Sequence, residues 1–272
     1  MNLPGLLFDI GGTKTRVAIT HDGETLDSFV SYNTFSNYTD GLSALKKYVQ
    51  EKNLSAVGFV SGGIAGPLNQ QRDGIVNAPN LPNWNGRSLK KDLNDAFICE
   101  VLVENDTALV GLGEAVRGAG EDAKFVAYVT VSTGVNGVRV VDKKIDPSFL
   151  GYEIGKQIID FDQTYMKGNF EDTVSGASLQ ARYKKLPSEI DDHVVWEEET
   201  RVLAVGLNNV AVFWSPEIII VGGSVSEKID ISLLQRYFDK VLTIFPTRPK
   251  LRRATLQDKG GLYGAMQVAR DL

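Results

Sequence analysis

The chain has 272 residues, 43% of them hydrophobic and 23% charged, the makeup of a globular protein large enough for one big domain or two modest ones, and two is our reading. Its 29 basic and 34 acidic residues give a formal net charge of -5, and no lysine or arginine tract follows a nucleic-acid backbone, so no nucleic-acid partner is expected. The single cysteine, Cys99, excludes an internal disulfide and a multi-cysteine zinc site; with no apolar run long enough to span a membrane, a cytoplasmic protein without a membrane partner is the expectation.

The apolar run Leu6-Leu7-Phe8-Asp9-Ile10 enters Gly11-Gly12-Thr13-Lys14 and leaves through Arg16-Val17-Ala18-Ile19. Strand, glycine turn and strand make a hairpin whose backbone N–H groups can approach a phosphate, since neither glycine carries a Cβ. Asp9 then stands at the strand end, facing that phosphate through a metal ion. The spacing fits neither the dinucleotide fingerprint nor the P-loop, and an ordinary hairpin turn stays open as the alternative.

Residues 24–32 supply a third strand, and 40–52 a helix with Leu42, Leu45, Tyr48 and Val49 on one face. Ala56-Val57-Gly58-Phe59-Val60 reads as a buried strand, 88–96 as a helix opened by a Ser88 cap, and Val101-Leu102-Val103 as another strand. Strand and helix alternate, which implies a largely parallel sheet beyond the opening meander. Glu104-Asn105-Asp106 then precedes a helix over 108–117. A carboxylate at a helix N-terminus is favoured in its ionised form, so Asp106 suits a base for a hydroxyl proton, with Asn105 anchoring a neighbouring hydroxyl. A plain Asn-Asp cap is the competing reading.

The pattern then restarts. Residues 125–131 run into Ser132-Thr133-Gly134-Val135-Asn136-Gly137 and out through 138–141, so two related sheet domains are expected, with glycine turns facing one cleft. Residues 201–214 form a helix with Val202, Val205, Val210 and Phe213 on its apolar face, and Glu197-Glu198-Glu199 reads as its solvated start. A buried strand over 217–221 ends in Gly222-Gly223-Ser224, and 260–270 closes the chain as a helix whose Gly261 and Gly264 permit close packing. His21 and His193 read as surface residues, and Trp84 and Trp214 as packing residues.

This ordered set resembles the ROK family of sugar kinases and repressors over nearly the whole chain. Asp9-Ile10-Gly11-Gly12-Thr13-Lys14 is similar to the family's first phosphate motif, Glu104-Asn105-Asp106 to its sugar and catalytic motif, Ser132-Thr133-Gly134-Val135-Asn136-Gly137 to its second phosphate motif, and Gly222-Gly223 to its adenosine turn. The loop from Gly66-Pro67 to Asn80-Leu81-Pro82-Asn83-Trp84 resembles the sugar-side loop, and Glu153-Ile154-Gly155 and Glu171 before Ser175-Gly176 resemble two further sugar contacts. The resemblance implies an α/β, duplicated actin-like ATPase (ribonuclease H-like) fold with two domains around a cleft. Residues 1–107 plus 258–272 would form the sugar and phosphate domain, closed by the C-terminal helix, and 108–257 the nucleotide-binding domain.

It further implies transfer of the γ-phosphoryl of ATP, with Mg²⁺, to a hexose, usually at the 6-hydroxyl. Asp106 would be the general base; Asn80, Asn105, Asp106, Glu153, Glu171 and Lys156 would meet the sugar. Asp9 (through Mg²⁺), Gly11, Gly12, Thr13, Lys14, Thr133, Gly134, Gly222 and Gly223 would meet the nucleotide. A homodimer is the assembly that the resemblance suggests. A catalytically weak sugar or nucleotide sensor is the alternative function, and the family's repressor form is not expected, because the phosphate motif begins within ten residues of Met1.

Departures from the family pattern are equally informative. Lys156 stands where many members carry a histidine, and Asp162, Thr164 and Asn169 stand where a three-cysteine zinc loop would be, so no structural zinc is expected and packing through Phe161, Tyr165 and Phe170 is expected to hold the loop. Lys156 is open between pairing with Glu153 or Glu171, contacting sugar or phosphate, and lying in solvent. Ser132 and Asn136 replace glycines of the second motif.

Overall fold

The computed structural model describes residues 3–160, 162–163 and 168–271. Its elements run β1 (Gly5–Ile10), β2 (Lys14–Thr20), β3 (Asp27–Asn33), α1 (Tyr38–Glu51), β4 (Phe59–Ile64), α2 (Leu89–Phe97), β5 (Glu100–Asn105) and α3 (Asp106–Arg117). They continue as β6 (Phe125–Val131), β7 (Val135–Val141), β8 (Lys144–Ile145), α4 (Phe170–Val174), α5 (Gly176–Tyr183), α6 (His193–Trp214), β9 (Ile218–Gly222), α7 (Ile231–Val241), β10 (Lys250–Arg253) and α8 (Gly260–Arg270).

Two compact units result: Met1–Arg117, Pro147–Gly151 and Leu256–Leu272 form the first, and Gly118–Asp146 with Tyr152–Thr255 the second. Helix α3, which the expected division put with the nucleotide domain, belongs to the first unit. It packs on α8 with backbones nearly touching: a Cβ on Gly113 would lie 2.1 Å from the Gly260 carbonyl, and one on Gly264 1.9 Å from that of Leu109. Two helices can approach this closely only where side chains are absent.

In the first unit the sheet order is β3-β2-β1-β4-β5. Strand β1 is central and wholly buried, Asp9 included, as its largely apolar run requires. It pairs antiparallel with β2 and parallel with β4, and β4 pairs parallel with β5, so Asp9, Gly63 and Glu104 stand abreast, followed by Ile10, Ile64 and Asn105. These are the carboxyl ends of parallel strands, where open α/β sheets bind ligands.

The second unit repeats the plan. Its order, read from the far edge, is β8-β7-β6-β9-β10, again two antiparallel pairings followed by two parallel ones. Phe170 anchors the start of α4 in this core; a Cβ on Gly206 of α6 would lie 2.2 Å from its ring.

Several expected elements shift for identifiable reasons. The strand expected over 56–60 occupies Phe59–Ile64, because Gly62 and Gly63 do not end it; a Cβ on Gly62 would strike the Phe8 ring at 2.3 Å, so the glycine makes room for Phe8. Ser88 holds the N-cap position of α2, but its side chain makes no capping hydrogen bond. Helix α6 begins at His193 rather than at residue 201, capped by Asp192, and carries the glutamate run within it. Glu199 is therefore not a solvated helix start: it is 3% exposed and paired with Arg182 at 2.6 Å. Trp84 is a packing residue, edge-on to Tyr38 with its indole N–H donated to the Phe35 carbonyl at 3.0 Å. Phe161, Thr164 and Tyr165 lie outside the described residues, whereas Asn169 caps α4 by a reciprocal box with Asp172.

Candidate active site

The Gly11-Gly12 turn is closed by the Gly11 N–H on the Lys14 carbonyl at 2.9 Å, and Thr34 braces it through Gly11 and Thr13. Thr13 and Lys14 are exposed. Gly12 lies against Asn80, whose Cβ would be 2.7 Å from an added Cβ, so the Gly11-Gly12 turn and the loop bearing Asn80 meet at this point. The absence of a side chain at residue 12 serves that packing as well as any ligand.

Asp9 is 5% exposed at the end of β1. Burial, and then the nearby Asp106 carboxylate, push its pKa up to about 7, while Arg16 opposes the rise. The Arg16 guanidinium lies 3.5 Å from Asp9 and is shared with Asp258, to which its Nε donates at 2.8 Å. Gly261 of α8 sits over the same carboxylate; a Cβ there would stand 2.8 Å from Asp9 Oδ2.

Asp106 opens α3. Its Oδ1 accepts the Thr107 N–H at 2.7 Å, and burial raises its pKa against that bond and the pull of Arg16. Gly63 lets β4 run beside it, for a Cβ on Gly63 would be 3.0 Å from the Asp106 Cα. Asn105 is held on both ends of its amide: Oδ1 accepts the Ala108 N–H at 3.1 Å, and Nδ2 donates to the Gly66 carbonyl at 3.1 Å. The capping interaction is thus real for Asn105, and it fixes the residue with one amide proton left over for a ligand. Glu104 turns aside to pair with Arg72 and to accept the Asn105 N–H at 2.8 Å.

In the second unit the Ser132-Thr133-Gly134 turn is tied down by its own carbonyls, with Ser132 and Thr133 accepting from the N–H groups of Gly176 and Ala177 at 2.7 and 3.2 Å. Glu171 lies on this turn: Oε2 accepts the Val135 N–H at 2.7 Å, and Oε1 pairs with Lys156. Lys156 therefore chooses Glu171, and that hydrogen bond raises its pKa, with Glu153 exposed nearby and contributing to the same field. Gly222 ends β9 where a Cβ would meet the Tyr128 hydroxyl at 2.5 Å, and Gly223 turns the chain at φ +88°. Ser132 and Ser224 bring the two glycine turns of this unit together, their hydroxyl oxygens 3.3 Å apart.

Sequence reasoning did not single out Arg16, Asp258 or Arg72. Arg16 had a signal: counted back across the hairpin it pairs with Asp9 in register. Asp258 and Arg72 had none, since only the fold brings distant loops to these carboxylates.

The model of the ROK family matches residues 6–272, and the chain belongs to that family. N-acetyl-D-glucosamine kinase of Escherichia coli O127:H6 is 26% identical to it, over 95% of this chain and 96% of that one. Among solved structures, the ROK hexokinase from Thermus thermophilus superposes with a TM-score of 0.84 at 23% identity, covering 99% of this chain and 100% of that one. A ROK family glucokinase from Streptomyces griseus, in complex with glucose and AMPPNP, gives 0.82 at 24% over 99% and 100%. A ROK family transcriptional regulator also shares the fold, at 18% identity and a TM-score of 0.80, covering 78% of that longer chain. The α/β, duplicated actin-like ATPase fold is thereby established. Among the described residues no helix is long and apolar enough to cross a membrane.

Proposed function

We propose that this chain is an ATP-dependent hexose kinase acting on glucose or a related hexose at the 6-hydroxyl. The observation that carries the proposal is the carboxylate pair of the first unit: half-buried Asp106 at a helix N-terminus and buried Asp9 at a strand end, close enough for Asp106 to raise the Asp9 pKa, with Arg16 pulling on both while it is also held by Asp258. Such a pair holds protons more tightly than free carboxylates do, which suits a proton acceptor, and a divalent cation would relieve the repulsion between them. The kinase relatives of the family support the same reading.

Asp9 fits Mg²⁺. Carboxylate oxygens are its preferred donors, and one or two of them normally suffice beside phosphate oxygens and water; glycine at 261 lets α8 lie against this carboxylate without displacing it. When bound, Mg²⁺ neutralises charge on the phosphates. Asn105 orients the sugar with its remaining amide proton, and Asn80, Glu153 and Glu171 complete the proposed hydroxyl contacts. Gly11, Gly12, Thr13, Lys14, Thr133, Gly134, Gly222 and Gly223 are the proposed nucleotide contacts. Asp106 takes the proton of the attacking hydroxyl on Oδ2, its Oδ1 being engaged by Thr107. The hydroxyl oxygen bonds to the γ-phosphorus as the bond to the bridging oxygen breaks, and ADP leaves with that electron pair.

ADP release, measured with Mg-ATP and a panel of glucose, mannose, fructose, N-acetylglucosamine and N-acetylmannosamine, tests the proposal. Sugar-dependent release with at least one of them is expected. Tight nucleotide binding with no release for any sugar would transfer the chain to the sensing reading.

A further inference from the structure

Glu171 creates an electrostatic problem at the second glycine turn. Its Oε2 occupies the Val135 N–H at 2.7 Å, and the same oxygen would lie 2.7 Å from a Cβ on Gly134, so a carboxylate is seated on the turn that the kinase reading gives to the nucleotide. Phe170 next to it is fully buried, and the Asn169–Asp172 box fixes the first turn of α4, so the backbone of Glu171 is held beside the glycine turn. An unneutralised carboxylate within a few ångströms of a phosphate weakens binding by roughly tenfold or more, even where solvent screens the pair.

The compensating charge comes from a different segment. Lys156 ends a short 3-10 turn, Ile154–Lys156, and pairs with Glu171 Oε1. That turn is itself fastened to the glycine turn: Gly155 is buried so closely against the Val135 carbonyl that a Cβ would stand 2.2 Å away. The lysine backbone is therefore fixed, while its side chain is 53% exposed against 25% for Glu171. Two more acids, Asp172 and Glu153, contribute to the field at this ammonium, and Asp172 already accepts the Asn169 N–H at 3.0 Å. Loss of Lys156 would leave the carboxylates of this cluster without the ammonium that faces them.

We infer that Lys156 is a positioning residue for the nucleotide: paired with Glu171, it cancels the charge of the carboxylate seated on the Ser132-Thr133-Gly134 turn and so lets that turn accept polyphosphate. The inference rests on the kinase reading for the occupant of the turn. It assigns Lys156 a role through Glu171, distinct from direct contact with the sugar.

Calorimetric titration of the full chain with Mg-AMPPNP tests it without turnover. Lys156→Met should raise the dissociation constant about tenfold, while Lys156→Arg, which keeps the charge, should stay within about twofold of wild type. The double variant Lys156→Met/Glu171→Gln should recover to within about threefold, because the uncompensated charge is gone. Unchanged affinity in Lys156→Met overturns the inference, and so does a double variant as weak as the single one, which would mark a merely structural contact. Wild-type protein that binds AMPPNP but phosphorylates no hexose would sink the kinase reading alone, because the titrations still decide the part played by Lys156.

Discussion

Two pairs of acids, one pair in each unit, are met by different numbers of cations. In the second, each has its own cation: Lys156 for Glu171 and Arg182 for Glu199. In the first, Asp9 and Asp106 face one guanidinium, Arg16, and Asp258 draws on it too. Neutralised acids order a structure; under-neutralised ones hold a charge that a ligand can complete. The same duplicated sheet thus carries an under-neutralised pair of acids, the proposed reactive centre, in one copy and a charge-balanced turn in the other.

The largest effect expected from this contrast is in the first unit. Asp106→Ala should lower kcat by roughly 10²- to 10⁴-fold while leaving AMPPNP affinity near wild type, as judged by steady-state rates beside calorimetry. Undiminished turnover would remove the proton-acceptor role.

Glu199 sharpens the second unit's side of the comparison. Burial lifts its pKa from 4.5 to about 7 despite Arg182. Since the folded value is raised, its contribution to stability is complete below the unfolded value and is lost as pH climbs through about 7. Urea unfolding at about pH 5 and about pH 8 should show wild type losing up to roughly 3 kcal/mol more than Glu199→Gln across that window. Parallel pH dependence in the two proteins would contradict a strained buried carboxylate.

Gly261→Ala follows. Its methyl would meet the Asp9 carboxylate at 2.8 Å and displace it, so kcat/KM for Mg-ATP should fall roughly 10- to 100-fold with the fold intact by circular dichroism. Gly134→Ala in the quiet turn should do least. The added carbon meets only the far end of the Glu171 side chain, which can yield, and a change in KM of about threefold or less is expected.

Much of this molecule was legible in one dimension. Apolar runs ending in glycine marked β1, β6 and β9, and the strand-turn-strand pattern of residues 125–141 marked the duplication. The glycines expected to allow close packing in α8 do so, Gly264 against Leu109 and Gly261 against Asp9. Glu199 went unrecognised because three consecutive glutamates look solvated in a linear reading. Their helix begins earlier, and its turn carries the third of them inward to Arg182.

Periodicity, glycine placement and the ordered motifs determined by themselves the fold class, the family resemblance and which acids were worth attention, because these depend on local conformation and on which faces are apolar. Tertiary structure alone decided how those acids are charged. Arg16 and Asp258 are 242 residues apart, and Lys156 pairs with Glu171, 15 residues further along the chain. Electrostatic fields and desolvation act through space, so the difference between an under-neutralised carboxylate and a paired one is written in which distant residues the fold brings within a few ångströms of it.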